Sequence, residues 1–313
     1  TCHGKSNFFR YAAYHGFDWK RPCLYHLDST KKQSEQGGLS MNAINVQNLT
    51  RDYGLGKGIF DVSIQVEKGL IFGFLGPNGA GKTTTIRHLM GFIKPKAGSC
   101  QIDGLDCWKN RGQIQERLGY IPGEISFFDD MTGREFLKFI SSYRNIRKEN
   151  RMQEMLERFE LDPRGKIKKM SKGMKQKLGI VSAFMHDPSI LILDEPTSGL
   201  DPLMQNRFVE LIAEEKKKGK TILLSSHMFE EVERTCDRIG IIRSGKLVTV
   251  DSVETLRERH MRTYTVCLDS PETAADFARD FDGKCDGNHV TVAAKQSLET
   301  IFMNYYGGEK IEE

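Results

Sequence analysis

The stretch GPNGAGKTT, Gly76 to Thr84, gathers residues that can hold phosphate. Gly76, Gly79 and Gly81 let the backbone turn its N–H groups inward, and such donors cradle phosphate oxygens. Pro77, Asn78 and Ala80 complete the loop. Lys82 can reach the β- and γ-phosphates, while the Thr83 hydroxyl, followed by Thr84, can hold Mg²⁺. A second cluster, Asp194 and Glu195, ends the apolar run ILILDE. Beside a phosphate loop, Asp194 can serve Mg²⁺ through water and Glu195 can orient and activate a water as general base. The two clusters together predict a nucleoside triphosphate site.

Such a site needs a strand that ends at the loop and a helix that starts on it. LIFGFL, residues 70–75, supplies the strand, and the helix predicted over 81–92 turns its positive dipole end to the phosphates. Other strands are expected at 43–48, 62–66, 118–122, 190–194, 221–226 and 238–243. Helices are expected at 132–143, 148–160, 173–187, 203–218 and 229–237. PSILILDEP is apolar on both alternate positions, as in a buried strand of a mostly parallel sheet. The pattern is α/β, with a helical insertion over 124–187. From residue 251 it changes to strand, helix, strand, helix (TYTVCL, PETAADFARDF, HVTVAA, LETIFMNYYG), a small appended α+β unit over 251–313. Residues 1–40 lack apolar periodicity, and the first clear strand pattern follows Met41. Gly37-Gly38 can be encoded as a bacterial ribosome-binding sequence just ahead of the Met41 codon. Residues 1–40 are therefore expected to be an extension, non-native or disordered, ahead of a working protein that starts at Met41.

Bulk properties exclude several classes. The chain has 313 residues and a formal charge of +4. Lys5, Arg10, Lys20, Arg21, Lys31 and Lys32 against Asp18, Asp28 and Glu35 place most of that excess within residues 1–40. The remainder carries no basic excess of the kind nucleic-acid binding requires. The seven cysteines are scattered with no C-x-x-C pair, which argues for reduced thiols over a disulfide framework or a zinc site. No apolar run approaches the roughly 20 residues of a membrane-spanning helix, so a membrane role would run through a partner.

After the phosphate loop come SKGMKQ (171–176), LDEPTSGLDP (193–202) and LLSSH, ending at His227. These motifs in this order, over Met41 to about residue 250, resemble the nucleotide-binding subunit of the ATP-binding cassette (ABC) transporter family, of the multidrug or antimicrobial-peptide export type. The resemblance implies a P-loop NTPase (RecA-like) core over 41–250 with a helical signature subdomain. It implies ATP as ligand, Mg²⁺ as cofactor, and hydrolysis through Glu195, His227 and Lys82. Tyr53 matches the aromatic residue that stacks on adenine. Ser171, Lys172, Gly173 and Met174 match the signature that faces ATP bound by the other subunit, and Asp201 matches the loop that crosses the dimer interface. Ser171 reads as a helix N-cap, and Met174, Leu178, Val181 and Met185 as one apolar stripe. Lys175 and Lys177 fall off that stripe and read as solvated.

Two departures from the family pattern stand out. The signature has Lys172 where glycine is usual and Met174 where glutamine is usual. Gly123, in GYIPGE, stands where glutamine usually touches Mg²⁺, and Glu124 could substitute from one position on. The implied partners are separately encoded transmembrane permease subunits and a second cassette, identical or sibling. The implied place is the cytoplasm, peripheral on the inner face of the cell membrane. The implied work is powering an exporter of drugs, peptides or lipids. The rival reading is a soluble cassette ATPase acting on nucleic acid or ribosomes. It is disfavoured by the charge, by the single cassette and by the absence of coiled-coil heptads.

Overall fold

The computed structural model describes residues 42–146, 150–259 and 261–295. The expectations for residues 1–40 and for a helix at LETIFMNYYG lie outside them. In chain order β1 (Asn42–Gly54), β2 (Lys57–Glu67) and β3 (Ile71–Leu75) lead into α1 (Lys82–Leu89). Next come β4 (Ala97–Ile102), β5 (Leu105–Asp106), α2 (Arg111–Arg117) and β6 (Leu118–Ile121). Three helices follow: α3 (Gly133–Tyr143), α4 (Asn150–Arg158) and α5 (Lys172–Phe184). The chain then alternates through β7 (Ile190–Asp194), α6 (Pro202–Lys217), β8 (Thr221–Ser226), α7 (Phe229–Thr235), β9 (Arg238–Arg243) and β10 (Lys246–Ser252). After α8 (Val253–Arg259) come β11 (Met261–Cys267), α9 (Pro271–Asp280), β12 (Lys284–Asp286) and β13 (His289–Lys295).

The central sheet runs β10-β9-β3-β8-β7-β6, parallel throughout except for β10 on β9. Alternate residues of its inner strands feed two clusters on opposite faces. Leu191 and Leu193 join the helices α4 to α6, and Ile190 and Ile192 join α1 and the strands β1 and β2. That two-faced burial is why β3 and β7 are wholly buried and read as continuous apolar runs. Space is tight at the centre. A Cβ on Gly73 in β3 would lie 2.6 Å from Val232 of α7 and 2.9 Å from Cys236.

Several elements were not expected. β4 and β5 join β1 and β2 in a separate antiparallel sheet, β2-β1-β4-β5. Their sequence, AGSCQI and LD, is short and half-polar, so it gives little strand pattern until β1 is there to pair with. β10 extends the central sheet, and Val253 and Leu256 bury themselves in its core, so this packing continues past residue 250. The stripe on α5 is also corrected. Leu178, Val181 and Met185 are buried, but Met174 is exposed in the first helical turn, ahead of the packed part. The segment 261–295 forms a sheet, β11-β13-β12, with α9 packed on β13. Among the described residues no helix is long and apolar enough to cross a membrane.

Candidate functional site

Parallel strands put their carboxyl ends at one edge of a sheet. β3, β8 and β7 are neighbours, with Leu75 opposite Ser226 and Ser225 opposite Asp194. Asp194 ends β7, and Gly76, Glu195 and His227 are the next residues at these ends, so register alone brings the four together. The loop from Pro77 to Thr84 then turns into α1 with Gly79 at φ 80° and Gly81 at φ 116°, left-handed values that favour glycine. A cleft of about 1090 Å³ opens there, lined by Pro77, Asn78, Gly79, Gly81, Lys82, Thr83 and Thr84 and faced by Glu124, Glu195 and His227. Ala80 is buried beneath the loop against Gly76.

Lys82 is the hub. Its ammonium donates to the carbonyls of Gly76 (2.5 Å) and Pro77 (3.2 Å) and lies 3.0 Å from Glu195 Oε1. The other carboxylate oxygen of Glu195 lies 2.6 Å from His227 Nδ1. The Glu195 backbone is left-handed, φ 51°, and its N–H is held by the Ser225 carbonyl at 3.1 Å and the Ser225 hydroxyl at 3.2 Å. Ser225 also donates to Asp194 Oδ1. Asp194 is fully buried. Burial pushes its carboxyl above the ordinary range, while the hydroxyls of Ser225 and Thr83 and the charge of Lys82 draw it back.

Asp194 Oδ2 has no hydrogen-bond partner among the described residues, and a buried unpaired carboxylate oxygen calls for a cation or an ordered water. Thr83, Asp194 and the space over them fit a Mg²⁺ ion whose other ligands come from phosphate and water. No cluster of three metal-binding side chains exists among the described residues, so the triphosphate would have to complete that shell. A Cβ on Gly123 would lie 2.9 Å from Asp194 Oδ2. Glycine there lets the carboxylate lie against the backbone, and the exposed Glu124 is the nearest acidic side chain along the chain.

The remaining expected residues stand apart from this cleft. Tyr53 is exposed at the end of β1, with the Arg51 guanidinium 5.3 Å from its ring centre. Ser171 caps α5 by accepting the Met174 N–H at 3.2 Å, beside the exposed Lys172. Gly173 packs against the loop after β7, where a Cβ would come 2.7 Å from the Gly199 carbonyl. Lys172 reaches Ser198 Oγ at 3.0 Å. Asp201 is the N-cap of α6, accepting the Met204 N–H at 3.0 Å. The sequence reading missed Ser225, Gln176 and Glu231. Gln176 donates to the Pro196 carbonyl at 2.6 Å and ties α5 to the Glu195 turn. A glutamine at a buried position of an apolar helix is a signal that could have found it.

The chain resembles known proteins. A family model described as "ABC transporter" matches residues 59–198. The bacitracin transport ATP-binding protein BcrA of Bacillus licheniformis is 42% identical over 224 residues, 70% of this chain and 72% of that protein. The linearmycin resistance ATP-binding protein LnrL of Bacillus subtilis is 35% identical over 221 residues, 69% of this chain and 71% of that protein. A solved ATP-binding subunit of an ABC transporter superposes with a TM-score of 0.63 at 31% identity, covering 69% of this chain and 92% of the other.

Proposed function

The chain belongs to the ABC transporter family, and from that premise we propose that it is the ATP-hydrolysing subunit of a membrane exporter of drugs, peptides or lipids. The observation that carries the reading is the convergence of Lys82 and His227 on the Glu195 carboxylate at the mouth of the phosphate loop. Bound ATP would lay its phosphates in the Gly76–Thr84 cradle and its adenine on Tyr53. The γ-phosphate would draw Lys82 from the Gly76 and Pro77 carbonyls, leaving Glu195 to take a proton from the attacking water. His227, freed from the same carboxylate, can donate to the γ-phosphate and stabilise its charge. Thr83 and Asp194 would hold a Mg²⁺ ion, which when bound would neutralise charge on the phosphate oxygens. Glu124 is offered as an outer metal contact in place of the side chain Gly123 lacks.

Ser171 N-caps α5, so a serine hydroxyl and a helix N-terminus sit together on the surface. That pair suits the triphosphate of a second cassette, with Asp201 in the contact between them. A groove of about 290 Å³ lined by Phe127, Phe136, Phe139, Ile140 and Tyr143 shares Pro122, Glu124, Ile125 and Ser126 with the nucleotide cleft. An amphipathic helix from a membrane subunit suits that groove, which would place the chain on the cytoplasmic face. The export role is supported by the likeness to a bacitracin transport and a linearmycin resistance ATP-binding protein.

Glu195→Gln should keep ATP binding and lose at least about 100-fold in turnover. Light scattering of that variant with MgATP should show twice the 35.6 kDa of the monomer. Full turnover would remove Glu195 from the base role, and a persistent monomer would require a sibling cassette. Sedimentation of the chain with membranes only when a permease is co-expressed tests the docking.

A further inference from the structure

One acidic group beneath the site has no part in the chemistry described so far. Glu231, on α7, is 6% exposed, and its Oε2 accepts the Ser226 hydroxyl at 2.7 Å. Burying a carboxyl is costly without strong partners, so a glutamate here calls for a reason that leucine would not meet. Ser226 supplies one. It is the last residue of β8 and the immediate neighbour of His227. Its hydroxyl accepts the Met228 N–H at 2.9 Å, and its carbonyl accepts the Gly76 N–H at 3.3 Å. The Gly76 carbonyl in turn holds Lys82, which meets Glu195, which meets His227. The contacts close a circuit through both catalytic loops, and Glu231 holds the one residue that belongs to both arms.

Resting on the hydrolytic reading above, we propose that Glu231 is a positioning residue: it pins Ser226 so that His227 and the phosphate loop keep their places around Glu195 and Lys82. Burial pushes its carboxyl up to about 7, while the Ser226 and Thr197 hydroxyls draw it back. The charged groups that act on it are Glu195 and His227, the pair it positions. In either protonation state the carboxyl can bond the Ser226 hydroxyl, so the pin does not depend on its charge.

The test is steady-state ATP hydrolysis by the full chain, with Glu195→Gln as reference and thermal unfolding as a check on folding. Glu231→Ala and Ser226→Ala should each lower kcat about tenfold with KM for ATP within about twofold. Glu231→Gln, which keeps the acceptor, should restore kcat to within about threefold of the wild type. The double alanine variant should be no worse than the poorer single one, because both cut one link. A wild-type kcat in Ser226→Ala or Glu231→Ala overturns the proposal, as does Glu231→Gln matching Glu231→Ala. If Glu231→Ala does not fold, Ser226→Ala and Glu231→Gln carry the same test. A wild-type chain with no turnover overturns the hydrolytic reading and this proposal with it. An active wild type with unaffected variants overturns this proposal alone.

Discussion

Glu195 adopts a left-handed backbone, φ 51°, that costs a side-chain-bearing residue about 1–3 kcal/mol. Two bonds from Ser225 to its N–H and the contacts of its carboxylate with Lys82 and His227 offset that cost. The strained turn aims the carboxylate at the cleft where an extended residue would run on past it. Glu231 offers a measurement at the same scale. Its carboxyl is raised to about 7 from an ordinary value near 4.5, so the native state favours the protonated form. The stability this contributes is full below about pH 4.5 and is lost as pH rises through 7, a swing of about 3 kcal/mol. Glu231→Gln should therefore gain more over the wild type in thermal midpoint at pH 8 than at pH 5. Equal gains at both pH values would mean the carboxyl ionises as freely as an exposed one.

At the scale of elements, the site is a consequence of strand order. β3 and β7 are separated only by β8, and parallel pairing aligns three carboxyl ends. α7, which starts two residues after His227, lies against β3 at Gly73. Gly73→Ala should force Val232 and Cys236 outward, cost about 1–3 kcal/mol in urea unfolding and lower kcat through the shifted His227 turn. Wild-type stability would show that α7 yields freely. The N-cap at Ser171 is a smaller matter for the fold, and Ser171→Ala should cost about 1 kcal/mol. Its larger effect is expected on the proposed ATP-dependent dimer, which light scattering should show weakened beyond what the stability loss explains.

At the scale of the molecule, the helical segment must be held to the sheet that carries the proposed catalytic groups. Glu215 of α6 is fully buried and receives Arg151 of α4 together with Lys218 and Lys220. Arg158 with Glu214 and Arg207 with Glu160 continue the same seam. Removing one member of a buried network strands the others, so Glu215→Gln should lose about 3–5 kcal/mol in urea unfolding. A loss below about 1 kcal/mol would mean that water already reaches these groups. The seam was invisible beforehand because its arginines lie tens of residues from their carboxylates and each charge alone resembles a solvated helix position. By contrast, GPNGAGKTT, ILILDE and the runs around β3, β7 and β8 were readable, because phosphate binding and two-sided burial both impose strict residue types on short segments. β4, β5 and β10 were not, since half-polar strands take their identity from a partner. The sequence by itself determined the α/β core, the phosphate loop and the carboxylates at a strand end, for chemistry that local residue type already demands. Only the tertiary structure decided that Lys82 and His227 share Glu195 and that Ser225 holds both the Asp194 carboxylate and the Glu195 N–H. It also decided that Glu231 lies under Ser226, because each of these contacts joins segments whose separation along the chain is bridged only by strand register and helix packing.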